Sequence, residues 1–409
     1  MPTLLQINTV VNYGSTGKIA EEIGEVSIKN GWKSYIAFGR NERTSKSNLI
    51  KIGNKFGINL HVLKTRIFDR HGYGSKRDTI SLIDRIKEIK PDIIHLHNIH
   101  GYYLNIDVLF AYLSESNVPV IWTLHDCWPF TGHCSYFDFV DCNKWEKECF
   151  SCPQKKEYPA SLFIDNSKRN FKDKQKIFNS AQNLTLVPVS NWLGDLVKKS
   201  FLKKHQLITI NNGVNLDKFY PKKNSEFIKK RYGVGDRFML LGVAASWEPR
   251  KGFQDFIKLS RLIDENSIII LVGLNEKQIK VLPDNIIGIS RTENVSDLVD
   301  LYSSADLFLN LTYEDNFPTT NIEALSCGTP VLTYNTGGSI ESISLETGYI
   351  VEKGDFEGIL KSIRLSNEKD RLELSELCRK RAESLYNKND KYQEYIHLYN
   401  GLLSKGLDE

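Results

Sequence analysis

Short unbroken apolar runs alternate along this chain with longer stretches in which apolar residues recur every three or four positions. Thr3–Val11, Lys33–Gly39, Pro91–Asn98, Pro119–Asp126, Leu184–Ser190 and Leu207–Gly213 have the length and continuous hydrophobicity of buried strands. Between them, Ile19, Ala20, Ile23 and Val26, and later Ile80, Leu82, Ile83, Ile86 and Ile89, carry helical spacing. The second half repeats the rhythm, with strands expected at Phe238–Ala245, Ser267–Gly273, Asn285–Ile289, Leu307–Leu311, Pro330–Tyr334 and Gly348–Val351. Strands alternating with helices predict parallel sheets covered on both faces. The polar, basic stretch Pro221–Arg237 interrupts the pattern and predicts a linker. The chain therefore reads as two doubly wound α/β domains, residues 1–222 and 223–390. Ligands of such sheets bind beyond the carboxyl ends of the strands, so two facing domains predict a site in the cleft between them.

Composition narrows the class. The 409 residues are 41% hydrophobic and 25% charged, which suits a globular protein with a sizeable core and excludes a disordered or fibrous chain. No apolar run approaches the ~18 residues of a membrane span. The N-terminus lacks a basic segment followed by an apolar one, so neither secretion nor membrane integration is expected, and the protein is expected in the cytoplasm. The net charge of +4 conceals a basic first half and an acidic second half, which points to an anionic surface or substrate for the first. Cations are scattered and no nucleic-acid recognition module matches, so no nucleic-acid partner is expected. Of seven cysteines, five fall between Cys127 and Cys152; an odd count without a leader argues for a reducing compartment.

Two turns carry candidate chemistry. After the first strand comes Asn12-Tyr13-Gly14-Ser15-Thr16-Gly17-Lys18. It lacks the first glycine and the Ser/Thr after Lys of a phosphate-binding P-loop, but its N–H groups open a helix and can meet a phosphate. The more informative stretch is Tyr313-Glu314-Asp315-Asn316-Phe317-Pro318-Thr319-Thr320-Asn321-Ile322-Glu323, followed by Ala324-Leu325-Ser326-Cys327-Gly328-Thr329-Pro330-Val331. It leads from the end of a strand, where a ligand would lie, into a helix N-terminus that offers Asn316, Phe317, Pro318 and Thr319 to an anion. Glu323, about two turns on, can chelate vicinal hydroxyls.

This stretch resembles the signature of the family 4 glycosyltransferases, retaining enzymes of the GT-B fold. In that signature two acids are separated by seven residues and followed by Glu-Ala, Cys-Gly and Pro-Val. Thr123-Leu124-His125-Asp126, Asn212-Gly213-Val214-Asn215, Arg250-Lys251-Gly252 and Tyr302-Ser303-Ser304-Ala305-Asp306 resemble further family segments, so the likeness runs along nearly the whole chain. The nearest subgroup is the colanic-acid type of polysaccharide biosynthesis transferases, which share the Cys-Trp-Pro-Phe-Thr-Gly-His-Cys run of residues 127–134.

The resemblance implies a sugar transferred with retention from a nucleoside diphosphate sugar to a saccharide or lipid-linked glycan, without a catalytic metal. It implies a role in capsule, O-antigen or related surface polysaccharide assembly. By position, Glu323 binds the ribose, and Asp315, where the family has glutamate, faces the donor sugar. Lys251 belongs to the diphosphate clamp. The family's arginine position falls at Ser246, so Arg250 is the substitute. His125 contacts the donor sugar. Gly14, Ser15, Thr16 and Gly17 are donor-side amides, and Arg291 and Thr292 are expected at the base. The final helix, residues 391–409, is expected to cross back onto the first domain. A nucleotide-sugar epimerase and a noncatalytic relative are the competing readings. The missing Glu and Arg keep the second open, and the acidic motif and aromatic loop argue against the first.

Three features stand outside that scheme. Cys134, Cys142, Cys149 and Cys152 end in a Cys-x2-Cys knuckle and suit a structural zinc, the bland alternative being four buried thiols. Asn191–Lys204 combines Trp192, Leu193, Leu196, Val197, Phe201 and Leu202 with four lysines, which suits an interfacial helix on anionic lipid or an ordinary core helix. His95, His97 and His100 alternate as metal ligands could, though such histidines more often pack or hydrogen-bond.

Overall fold

The computed structural model describes residues 1–223 and 225–405. The chain divides into two compact units, Met1–Asn211 together with the residues from Tyr392 on, and Asn212–Lys391. Among the described residues, no helix is long and apolar enough to cross a membrane.

The first unit is a seven-stranded parallel sheet of β1 (Thr3–Asn8), β2 (Lys33–Phe38), β3 (Asn48–Lys51), β4 (Ile93–Leu96), β5 (Val120–Leu124), β6 (Leu184–Pro188) and β7 (Gln206–Leu207), in the order 3-2-1-4-5-6-7. The central strands β4, β5 and β6 are buried at every position, as their unbroken apolar runs require. The edge strand β3 is short and largely exposed. Helix α1 (Gly14–Lys29) turns Ile19, Ile23 and Val26 onto Leu4, Ile93 and Ile121. The same cluster takes Tyr392, Tyr395, Ile396 and Tyr399 from the closing helix Lys388–Lys405. Burying each such side chain contributes about 1.5–3 kcal/mol, which fastens the end of the chain to the first sheet. A second helix, α2 (Lys55–Phe68), is less deeply packed and leaves Phe56, Leu60 and Leu63 exposed.

The second unit is a six-stranded parallel sheet of β8 (Phe238–Val243), β9 (Ser267–Val272), β10 (Ile286–Ile289), β11 (Leu307–Asn310), β12 (Val331–Tyr334) and β13 (Gly348–Val351), ordered 10-9-8-11-12-13. Its core gathers Leu240, Phe256, Ile269, Leu271, Leu309 and Leu332. In both sheets the order reverses beside the first strand, between β1 and β4 and between β8 and β11. Loops leaving the two strands there diverge to opposite faces and open a crevice at the carboxyl edge.

One expectation is corrected, and one open alternative is decided. The stretch Pro221–Arg237 is built into the second unit and is no free linker. It contains the helix Ser225–Arg231, buries Ile228 and Val234, and pairs Lys222 with Asp300 at 3.0 Å. The stretch 191–204 forms the helix Asn191–Lys199 and a turn, with Leu193, Val197 and Leu202 fully buried, so its apolar stripe faces the core of the first unit. Its lysines are the solvated face of a core helix.

Candidate active site

In the second unit the crevice between β8 and β11 collects the residues of the acidic motif and the Arg-Lys-Gly turn. The loop after β8 carries the short helix Pro249–Lys251, and the loop after β11 carries Asp315. Lys251 Nζ donates to Asp315 Oδ2 at 2.6 Å, across 64 positions of sequence. Both side chains keep about a fifth of their surface exposed, so the pair is reachable by a ligand. Arg250 Nε pairs with Glu248 Oε2 at 3.1 Å, and its guanidinium also reaches Glu314 O at 3.5 Å. The two loops are stitched by Tyr313 N donating to Arg250 O at 2.7 Å.

Two glycines permit this approach. Gly252 has φ +75°, and a Cβ there would stand 2.0 Å from Leu311 O. Gly337 has φ +51°, and its Cβ would stand 2.0 Å from Asp315 O. Any other residue at either place would push the loops apart. The Gly337–Gly338 turn also holds Asp315 through Gly338 N, which donates to its carbonyl at 3.1 Å.

Beyond Asp315 the chain enters the helix Thr319–Ser326, whose N-cap Pro318 provides no side-chain acceptor to the first N–H groups. Asn316 and Phe317 are buried, and Phe317 packs on Tyr386 with ring centroids 5.8 Å apart. They therefore shape the loop, while Thr319 is half-buried at the helix start. Glu323 Oε2 accepts from Tyr302 OH at 3.0 Å. Burial, and then the Glu323 carboxylate, hold the Tyr302 phenol far above its usual range, so it stays a donor that fixes the carboxylate. Below this layer, Asp255 accepts from Tyr313 OH at 2.7 Å and Tyr334 OH at 2.8 Å, bracing β12 against the site loops. Arg291 and Thr292 follow the edge strand β10, with Arg291 exposed. Ser246 is exposed and offers its hydroxyl to Glu248 at 3.5 Å, so no guanidinium stands at that position.

The first unit holds the other expected residues. Gly14 to Gly17 form the first turn of α1; its N-cap Tyr13 makes no side-chain cap bond, and Gly14 and Ser15 are exposed. His125 follows β5, half-buried, with its ring stacked on His97 at 5.4 Å. A hydrogen-bond chain sets its tautomer. Gln6 Nε2 donates to Ala20 O at 2.8 Å, which turns Gln6 Oε1 to accept from His97 Nε2 at 3.0 Å. His97 Nδ1 then accepts from His125 Nε2 at 3.2 Å, and the lone pair of His125 resides on Nδ1. Burial pushes the His125 pKa down to about 4, so the ring is neutral near pH 7. Next to it, His100 Nε2 meets Asp126 Oδ2 at 2.8 Å.

The histidines in and after β4 are engaged with protein partners. His95 bonds Tyr399 OH and Thr123 Oγ1, both at 2.7 Å; His97 bonds Gln6 and His125; His100 bonds Asp126 and Tyr158. All six ring nitrogens have partners, so these histidines are structural. The four cysteines of the zinc expectation line one small cavity, with Cys149 Sγ accepting from Gly132 N at 3.2 Å. None of the seven cysteines, all of them described, is in a disulfide. Among the described residues, no three His, Cys, Asp or Glu side chains are already drawn to metal-holding spacing.

Sequence reasoning missed the Gln6–His97 relay behind His125, the Tyr302 donor to Glu323 and the loops' dependence on Gly337. Gln6 belongs to no motif, and Tyr302 opens a family-like segment that assigns it no role. Thr336-Gly337-Gly338-Ser339 carries no motif beyond its glycines.

Comparison with known proteins agrees with this anatomy. A model described as Glycosyltransferase Family 4 matches residues 28–218, and one described as Glycosyl transferases group 1 matches residues 224–385. A protein of Escherichia coli (strain K12), named as a colanic acid biosynthesis glycosyl transferase, is 22% identical over 98% of this chain and 100% of its own length. The sucrose-phosphate synthase of Thermosynechococcus elongatus superposes with a TM-score of 0.73 at 16% identity, over 99% of this chain and 100% of that one. Anabaena HepE, solved in complex with UDP, superposes at 0.68 with 13% identity, over 98% of this chain and 100% of that one. The chain is a glycosyltransferase of the GT-B fold, related to the family 4 and group 1 glycosyltransferases.

Proposed function

We propose that the enzyme transfers a sugar, with retention at the anomeric carbon and without a catalytic metal, from a nucleoside diphosphate sugar to a saccharide or lipid-linked glycan of a bacterial surface polysaccharide. The observation that carries this reading is the meeting of Lys251, Arg250 and Asp315 at the crevice of the second sheet, with Glu323 behind them. The two cations and the amides at the start of the helix Thr319–Ser326 neutralise the leaving diphosphate. The chain has no Asp-x-Asp pair to bridge a divalent ion to that diphosphate. Glu323, oriented by Tyr302, takes the ribose hydroxyls. Asp315 faces the sugar and steers Lys251. His125 is neutral, so it bonds a sugar hydroxyl and delivers no proton. The departing phosphate oxygen accepts the proton of the attacking hydroxyl, so no carboxylate need become a nucleophile. Solved relatives named as complexes with UDP, or with UDP-glucose, support a nucleoside diphosphate donor.

Contact with the cytoplasmic face of the membrane belongs to this reading, on a surface other than residues 191–204. Helix α2 exposes Phe56 (78%), Leu60 (57%) and Leu63 (54%) among the exposed cations Lys55, Lys64 and Arg66. The loop bearing exposed Leu162 and Phe163 (70%) is tied to α2 by Leu162 N donating to Arg66 O at 2.8 Å. Apolar side chains ringed by cations suit an anionic lipid surface.

The test is binding and turnover of a panel of nucleoside diphosphate sugars, with and without EDTA, for wild type and Glu323→Ala. One donor that binds in EDTA and is lost in Glu323→Ala supports the assignment, and the anomer of the product reports stereochemistry. Failure of every donor at millimolar concentration makes the noncatalytic reading the better one. Sedimentation with phosphatidylglycerol vesicles, lost on Phe56→Glu with Phe163→Glu, tests the surface.

A further inference from the structure

The cavity lined by the cysteine-rich loop contains one more polar group that nothing in the glycosyl-transfer chemistry uses. His133 lines it beside Cys134, Cys142, Cys149 and Cys152. Its side chain has no exposed surface. Nδ1 bonds Asp69 Oδ1 at 2.5 Å, and Nε2 has no hydrogen-bond partner. Asp69 is itself buried and held by Asn166 N, which donates to Oδ2 at 2.8 Å. Asp69 accepts from Nδ1, so in the neutral ring Nε2 carries the lone pair and has no partner. That is the state of an imidazole prepared for a metal, with its tautomer and orientation set by a second carboxylate layer.

The thiols line the same cavity, though not yet at metal-ligand spacing. Cys134 and Cys152 are within hydrogen-bonding reach of each other. Cys149 and Cys152 form a knuckle whose third residue, Ser151, has φ 44°, a left-handed turn. The knuckle is anchored by Gly132 N on Cys149 Sγ and by Asp165 Oδ2, which accepts from Cys152 N at 2.6 Å. Phe137 and Trp145, stacked with ring centroids 4.9 Å apart, line the cavity, and Phe130 packs on both. Three thiolates and a neutral imidazole on Zn²⁺ sum to one negative charge. Lys174, buried and donating to Thr131 O at 3.0 Å on the cavity wall, has its pKa pushed down to about 7 by burial, and a negative charge in the cavity would favour its protonated form.

We propose that this cavity is a closed structural zinc site in which Cys134, Cys149, Cys152 and the Nε2 of His133 are the four ligands and Asp69 orients the histidine. Binding draws the three thiols inward to Zn–S bonds of about 2.3 Å and releases their protons to solvent. Cys142 lines the same cavity and is the competing fourth ligand. The site holds the loop between β5 and β6 in shape, and it is independent of the assignment of the transferase residues.

The experiment is metal analysis of the full chain purified without chelator or polyhistidine tag. One zinc per chain is expected, released by a mercurial reagent, with a fall in Tm when a strong chelator removes it. Cys142→Ser should retain the full equivalent, whereas Cys149→Ser and His133→Gln should lose most of it. If those variants fail to fold, Co²⁺ titration of the zinc-free wild type gives a second readout, a tetrahedral spectrum with sulfur-to-cobalt charge transfer. Less than a tenth of an equivalent of zinc in fresh protein, with no cobalt charge transfer, overturns the site. Loss of zinc in Cys142→Ser with retention in His133→Gln overturns the ligand set. An intact mass 2 Da below that of the reduced chain would mean a disulfide in place of the metal and would also overturn it.

Discussion

Replacing Lys251 by methionine removes a charge while keeping the length of the side chain, and its effect on donor binding follows from the geometry of the pair. Lys251 and Asp315 lie 2.6 Å apart, each about a fifth exposed. In the free enzyme the pair is close to a surface ion pair, worth up to about 1 kcal/mol, so Lys251→Met should barely change stability. The bound state is different. A charge-assisted contact to the diphosphate is lost, at about 1.5–3 kcal/mol. The Asp315 carboxylate is also left without its cation beside a polyanion, a repulsion of up to about 4 kcal/mol at 4 Å and an effective dielectric of 20, before water and side-chain movement relax it. Donor affinity should fall by roughly 10- to 150-fold from the first effect, at about 1.4 kcal/mol per decade, and further from the second. Calorimetric titration of the nucleoside diphosphate against Lys251→Met, Asp315→Asn and the double variant separates the two. Asp315→Asn alone should bind the diphosphate within a few-fold of wild type while lowering kcat. The double variant should bind more tightly than Lys251→Met, because the unpaired carboxylate is gone. If Lys251→Met binds the diphosphate within three-fold of wild type, Lys251 is not part of the clamp and the reasoning fails.

Gly252→Ala should abolish donor binding and lower the Tm of the second unit, because its Cβ would stand 2.0 Å from Leu311 O at a φ of +75°; a crystal structure or titration of that variant checks it. Tyr399→Phe leaves His95 Nδ1 buried without its 2.7 Å partner, and chemical denaturation should report a loss of about 1–3 kcal/mol with little change in donor affinity. Burial pushes His61 and His125 down from 6.5 to about 4, so the unfolded chain binds more protons than the folded one between those values. This contribution to stability is complete above pH 6.5 and is lost as the pH falls toward 4, and a Tm series across that window should decline steadily. Within the same reasoning, activity between pH 7 and 6 should show no inflection from His125, whose ring is already neutral.

Much of this protein is legible from its residues in order. The continuous apolar runs of β4, β5, β8 and β9 have no other stable use than strands buried on both faces, and the helical stripe of Ile19, Ile23 and Val26 needs a sheet to cover it. The acidic motif and the Arg-Lys-Gly turn are local strings, so their residue types survive reading in one dimension. Tertiary structure decided what depends on distance through space. The stripe of 191–204 has the same pattern whether it meets lipid or a sheet, and only its packing shows that it is core, leaving the exposed apolar surface to α2. The pairing of Lys251 with Asp315 joins loops 64 positions apart, because the strand order reverses between β8 and β11. The bond from His133 Nδ1 to Asp69, 64 positions away, which leaves Nε2 as the unpartnered nitrogen, exists only in the fold. Periodicity and motif report a residue's own neighbourhood along the chain, while protonation, tautomer and ligand readiness depend on the partners that folding brings beside it.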